Sequence, residues 1–274
     1  MKKVAIQGVR GAFHEIAARQ YFESMEIEIV PCITFCDLFT AMQSGTADCA
    51  IMAIENTVAG GLLSNYTLLQ ESDYRINGET YLRIQQNLLV LNGQTIDDLE
   101  EVHSHHMAIA QTRQFFSNYP HIKLIESDDT ALSAQQIADN KETKRGAIAS
   151  ELAAEQYGLH VLARSIETHK KNFTRFLVIE KDCKILENTD KASLCFSLPH
   201  EKGSLAKVLS IFSYYDINLS KIQSLPKLGE EWHYLFYVDI VYDKYQKYSQ
   251  AVSAIKPLTI NFQVLGEYKK AITI

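Results

Sequence analysis

Nowhere in this 274-residue chain do apolar residues run long enough to span a bilayer. The first apolar run, Val4 to Ile6, is broken by Gln7 and is too short for a signal-peptide core. These absences lead to the expectation of a cytoplasmic protein with no membrane partner. Cysteine is scarce, with five residues at 32, 36, 49, 183 and 195. An odd, small number excludes a disulfide framework, and the thiols are expected to be reduced and mostly buried. Cys32 and Cys36 stand four apart, but no second Cys or His pair at ligand spacing is nearby, so no metal is assigned to them. Positive charge is not in excess: 27 Lys and Arg face 33 Asp and Glu, a net charge of −6. That argues against a nucleic-acid partner, which requires a basic face. A small anionic ligand stays open, because it needs only a few local positive groups. There is no internal repeat and no low-complexity segment.

What is present is an ordinary globular balance, with 46% hydrophobic and 22% charged residues. A chain of this length is expected to form two domains, with a core large enough to need no disulfide or metal staple.

Residues 3–7 read as a strand, and the turn from Gly8 to Phe13 holds two glycines before a helix with Phe13, Ile16, Ala17 and Phe22 on one face. Strand, glycine turn and helix together aim backbone N–H groups at an anion. The turn lacks the lysine and hydroxyl of a phosphate loop and the third glycine of a dinucleotide fingerprint, so a carboxylate suits it better than a nucleotide. Residues 27–30 form the next strand, and a helix over 35–43 stops at Gly45. Residues 48–54 are a strand buried on both faces. It runs into Glu55, Asn56 and Thr57 and then Gly60 and Gly61. Polar side chains at the C-terminal end of a buried strand sit where open α/β sheets bind ligands. Alternatively, Asn56 and Thr57 cap a helix over 62–70.

Residues 79–91 read as one long strand crossing between two lobes. A second alternating block follows, with strands at 101–104, 122–126, 146–149 and 159–162 and helices at 107–118, 130–140 and 151–157. The chain then reaches Asn172-Phe173-Thr174-Arg175-Phe176 and an apolar strand. Two α/β blocks joined by extended crossings predict two lobes with a cleft, and the Thr-Arg-Phe stretch at its floor. After the polar segment 188–190 the pattern becomes βαββαβ over 192–270, a split ferredoxin-like unit.

Several separated motifs in order make the chain resemble the monofunctional prephenate dehydratases. Gln7-Gly8 to Gly11-Ala12-Phe13 is similar to that family's Gly-Pro-x-Gly-(Thr/Ser)-(Phe/Tyr) opening, with Val9 at the usual proline. Ala53 to Thr57 resembles its Pro-Ile-Glu-Asn-Ser block. Gln86-Asn87-Leu88-Leu89 is similar to a block that often begins with histidine. Ser104-His105 through Gln111, Ala149 to Ala154, and Asn172 to Phe176 match further blocks. Gly203 to Ala206 and Ile222 to Pro226 resemble the regulatory ACT domain, with Gln223 for glutamate and Leu225 for arginine.

The resemblance implies a two-lobed, periplasmic-binding-protein-like (type II) catalytic domain over 1–183 and a ferredoxin-like ACT domain over 192–270. The lobes would be 1–78 with 170–183, and 79–169. It implies decarboxylative dehydration of prephenate to phenylpyruvate without a cofactor, with phenylalanine as effector and assembly as a homodimer or homotetramer. Thr174 takes the family's essential threonine position, and its hydroxyl is expected to stabilise the departing hydroxide. Arg175 is expected to anchor a carboxylate through a bidentate pair. Phe176, Asn56, Thr57, Ser104, Gln111, Gly11 and Ala12 complete the expected substrate site. His105, His14 and Glu55 are the candidate proton donors. His103, His105 and His106 do not stand at metal-ligand spacing, and no metal is expected. Gly203, Ser204, Leu205, Ala206, Asn218 and Leu219 are the expected phenylalanine site. Arogenate dehydratase and a non-catalytic small-molecule sensor are the alternatives.

Overall fold

The computed structural model describes residues 1–181, 188–226 and 234–272. Cys183 and Trp232, the latter expected to open a strand, lie outside them. The chain begins β1 (Lys2–Gln7), α1 (Phe13–Tyr21), β2 (Ile27–Cys32), α2 (Phe35–Gln43), β3 (Cys49–Asn56), β4 (Gly60–Gly61), α3 (Leu63–Glu71), β5 (Arg75–Arg83) and β6 (Asn87–Val90). It continues with β7 (Glu101–His105), α4 (His106–Phe116), β8 (Lys123–Ser127), α5 (Thr130–Asn140), β9 (Arg145–Ala149), α6 (Glu151–Tyr157), β10 (His160–Ala163) and β11 (Phe173–Glu180). It ends with β12 (Lys191–Ser197), α7 (Ser204–Tyr214), β13 (Asn218–Pro226), β14 (Tyr234–Val241), α8 (Tyr245–Ile255) and β15 (Ile260–Tyr268).

Two compact units emerge: residues 1–62 with 80–176, and 63–79 with 177–274. The first is α/β. One of its sheets has the strand order β2-β1-β3-β11-β5, with β4 paired to β3. β3 takes a central place because its first six residues are all buried, as the apolar run requires. The other sheet, β10-β6-β9-β7-β8, is mixed, with β7 parallel to β8 and β9, and β6 antiparallel to β9 and β10. Local sequence sets the helix starts. Thr34 and Asp37 form a capping box on α2, Asp129 caps α5, and Ser150 caps α6, which stops at left-handed Gly158.

The single long strand expected over 79–91 is in fact two. Residues 84–86 lie between them, and the two strands belong to different sheets. There the outgoing crossing pairs with the returning one: Ile84 N donates to Asn172 O at 2.8 Å and Ile166 N to Gln86 O at 2.7 Å.

The second unit contains the βαββαβ order β12-α7-β13-β14-α8-β15, with an antiparallel sheet arranged β13-β14-β12-β15. Val208, Phe212, Tyr248, Val252 and Ile255 pack on one sheet face, against Leu194, Phe196, Val238 and Ile240. Alternation turns Cys195 and Tyr237 to the other face, where Tyr237 meets Tyr66 at a ring separation of 5.1 Å. Residues 63–78, expected with the N-terminal lobe, and Glu79, expected with the other, fall in this unit. Ile76 lies so close to Gly266 that a Cβ there would collide with Ile76 O. The buried Lys191 ammonium pairs with Glu79 at 2.8 Å.

Candidate active site

A cleft of about 390 Å³ opens in the first unit, lined by residues from both of its sheets. Four helices begin at its wall. Ala12, Phe13 and His14 start α1, Thr34 and Phe35 start α2, His105, Met107 and Ala108 start α4, and Asp129 and Thr130 start α5. Each start carries a partial positive charge from aligned peptide dipoles and unpaired N–H groups. Among the described residues no lysine or arginine lines the cleft. Any positive partial charge on its wall comes from backbone, beside the carboxylates of Asp128 and Asp129.

Across the cleft floor runs a chain of side-chain amides whose orientation is fixed at one end. Asn56 Oδ1 accepts from the backbone N–H groups of Val58 at 2.9 Å and Ala59 at 2.8 Å. Its Nδ2 must therefore face the other way. It donates to Thr174 Oγ1 at 2.8 Å and to Asn172 Oδ1 at 2.7 Å. Asn172, fully buried, then points Nδ2 at Gln111 Oε1, at 3.0 Å. Gln86 Nε2 donates to the same oxygen at 3.3 Å. Because Thr174 Oγ1 is an acceptor toward Asn56, its own proton is left to point elsewhere.

Burial disfavours the charged form of both cleft histidines. Burial pushes His14 down to about 3, Ala53 N–H donates to its Nε2 at 3.4 Å, and Phe176 stacks edge-on at 5.0 Å. His105 is lowered by burial and by neighbouring His106, and its Nδ1 accepts from Met107 N at 3.3 Å. The Asp129 carboxyl is raised, chiefly by burial, although it caps α5. Among the described residues no three His, Cys, Asp or Glu side chains are grouped to hold a metal ion.

The sequence profile of prephenate dehydratases matches residues 4–184. The chain belongs to the prephenate dehydratase family. As such it is a carbon–oxygen lyase. A bifunctional chorismate mutase/prephenate dehydratase from Aquifex aeolicus is 38% identical over 98% of this chain and 74% of its own length. Arogenate dehydratase 2 of Petunia hybrida is 37% identical over 97% of this chain and 71% of its own length. The crystal structure of a prephenate dehydratase from Arthrobacter aurescens, solved with L-Phe, superposes with a TM-score of 0.88. It is 27% identical and covers 99% of this chain and 93% of the other.

Of the residues expected at the dehydratase site, Thr174, Phe176, Asn56, Gln111 and Ala12 line the cleft. Arg175 does not. Side chains alternate along β11, so with Thr174 and Phe176 on the cleft side Arg175 is turned away, and it is only 3% exposed. Ser104 is fully buried and ties β7 to β9 through a 2.6 Å bond from Oγ to Ile148 O. Thr57 is exposed and clamps the end of β3 to β11, donating to Lys171 O and accepting from Phe173 N. Neither Asn56 nor Thr57 makes its bonds to α3. Glu55 is not among the lining residues.

The glycine turn is likewise committed elsewhere. Gly11 N donates at 2.7 Å to the buried Glu15, and Gly11 O accepts from Ser150 Oγ at 2.6 Å. A Cβ on Gly11, at φ +85°, would stand 2.7 Å from Ala153 Cα. The two glycines let the turn press onto α5 and α6, and Ala12 contributes a methyl group to the cleft, its N–H being bonded to Val9 O. Sequence reasoning assigned no role to Asn172 or Gln86. The available signal was that each stands first in a block resembling the family, and that the polar Asn172 directly precedes a strand of mostly buried residues.

Proposed function

We propose that this cleft binds prephenate and expels the ring carboxylate and ring hydroxyl together, yielding phenylpyruvate, CO₂ and water for phenylalanine synthesis. The dianion takes up one proton in all, and aromatisation makes the reaction downhill, so no covalent intermediate is needed. The task is to hold two carboxylates and to ease hydroxide away. Helix starts converging on the cleft suit the carboxylates, in place of Arg175. The observation that carries the reading is the Asn56 to Thr174 hydrogen bond, which frees the Thr174 proton for the departing oxygen. His14 and His105, both favouring the neutral form, act as polar walls in this scheme. Closure of the cleft over the substrate would strip water from the carboxylates and favour loss of CO₂.

The proposed reaction calls only on residues within 1–181. The finer domain reading is a type II binding-protein-like catalytic domain followed by an ACT domain over 192–270. Phenylalanine is the proposed effector; the Arthrobacter prephenate dehydratase was solved in complex with it. Left-handed Gly203 precedes α7, followed by Ser204, Leu205 and Ala206, while Asn218 and Leu219 open β13. Asn218 and Lys191 both register with Val241, whereas Ser197, which leads to α7, registers with Leu235. Six strand steps, about 20 Å, thus separate the two parts within one copy. A small amino acid touches both only if two copies supply one part each, which favours a homodimer or a pair of dimers. No helix among the described residues is long and apolar enough to cross a membrane, and the proposed setting is the cytoplasm.

The test is purified protein mixed with prephenate, followed by phenylpyruvate absorbance. Product no faster than the uncatalysed rate would reduce the protein to a binder.

A further inference from the structure

One buried acceptor in the cleft has no donor among the described residues. Gln86 is 3% exposed, lines the cleft, and its Oε1 accepts no hydrogen bond. Rotating the amide does not cure this. The orientation of each member follows from the Val58 and Ala59 N–H groups, through Asn56 and Asn172, to Gln111 Oε1. That oxygen already faces Gln86, so a turned Gln86 would set oxygen against oxygen and forfeit the 3.3 Å bond from Nε2. An amide oxygen locked in this way and buried without a partner costs free energy, and in native proteins such an atom calls for an explanation.

We propose that Gln86 Oε1 is a substrate-recognition atom that accepts a hydrogen bond from an O–H or N–H group of the bound cyclohexadienyl substrate. The inference rests on the dehydratase reading of the cleft. The keto group and carboxylates of prephenate are acceptors and cannot serve. Two donors remain: the ring hydroxyl, carried by prephenate and arogenate alike, and the side-chain ammonium, carried by arogenate alone. The neighbouring wall is also rich in acceptors, with Asp128 and Asp129 and, among the described residues, no lysine or arginine. Gln86 is therefore placed to decide between the ketoacid and the amino acid forms of the substrate, or to read the ring hydroxyl common to both.

The experiment compares wild type and Gln86→Met on prephenate and on arogenate, with phenylpyruvate as a competitive inhibitor lacking both donors. If the hydroxyl is the donor, KM rises about 10-fold on both substrates with kcat held; if the ammonium is, kcat/KM falls about 100-fold on arogenate alone. In both cases the phenylpyruvate inhibition constant stays at its wild-type value. A merely structural role would weaken phenylpyruvate in step with the substrates, and that result overturns the proposal, as does unchanged kinetics on both. Gln86→Glu keeps the side-chain shape and serves if the Met variant does not fold. A charge touching the ammonium shifts the arogenate-to-prephenate ratio of kcat/KM by about 10-fold or more, a charge touching the shared hydroxyl changes kcat/KM by about that much on both substrates, and values within twofold of wild type on both reject the contact. Wild-type protein that turns over neither substrate removes the dehydratase reading and this inference with it. Turnover by wild type with an indifferent Gln86 removes the inference alone.

Discussion

Asn56 Nδ2 lies 2.8 Å from Thr174 Oγ1 and can only donate to it, because Asn56 Oδ1 is held by two backbone N–H groups. A side chain at the end of β3 thereby decides which way the hydroxyl of β11 presents its proton. Thr174→Val, which keeps the shape and removes the donor, is expected to lower kcat by roughly 10²–10³ with KM changed little. Asn56→Asp should produce a similar kcat loss, since a carboxylate would draw the Thr174 proton to itself. Steady-state kinetics on prephenate checks both, and near-normal kcat in the Asp variant would detach Asn56 from the chemistry.

Arg175 faces away from the cleft and is buried. Arg175→Met is therefore expected to lower the melting temperature while the folded fraction keeps its KM for prephenate. Loss of interactions from a buried charged group costs about 3–5 kcal/mol, a shift of roughly 10 °C in a chain of this size. A raised KM at unchanged stability would return Arg175 to the substrate.

His14 titrates near 6.5 when unfolded and at about 3 in the cleft. Between those values the unfolded chain carries a proton that the folded chain lacks. Stability therefore falls as pH drops through this window and is fully present above 6.5. His14→Gln, which keeps an acceptor for Ala53 N–H, should flatten melting temperature against pH between 6.5 and 3. An unaltered slope would show that His14 is not the source.

Phenylalanine is expected to inhibit wild type, and Gly203→Val or Asn218→Ala to abolish inhibition while leaving basal kcat intact. Because the two parts lie about 20 Å apart in one copy, co-refolding the two variants should regenerate one intact site per mixed dimer and restore part of the inhibition. Mixed protein as insensitive as either parent would exclude a site shared between copies.

Local pattern made the elements legible. α2, α5, α6 and α8 start and stop where capping residues, glycines and apolar spacing place them, because those signals act over one or two turns. The buried run of β3 and the βαββαβ order of the C-terminal residues were equally plain. The motif from Asn172 to Phe176 identified the stretch that carries Thr174, but not the direction of its neighbours. Arg175 looked like the anion anchor because charge is visible in a sequence, whereas helix dipoles and strand facing are not.

The sequence by itself determined the succession of strands and helices, the resemblance to dehydratases and the choice of Thr174 as a candidate site residue, since each depends on residues close together in the chain. Only the tertiary structure decided that Arg175 turns away, that Gly11 spends its N–H on Glu15, and that Asn56, Asn172, Gln111 and Gln86 form one chain of amides. Hydrogen-bond direction is set by which atoms meet across the fold. Asn56 and Thr174, 118 positions apart, meet only when β3 and β11 share a sheet.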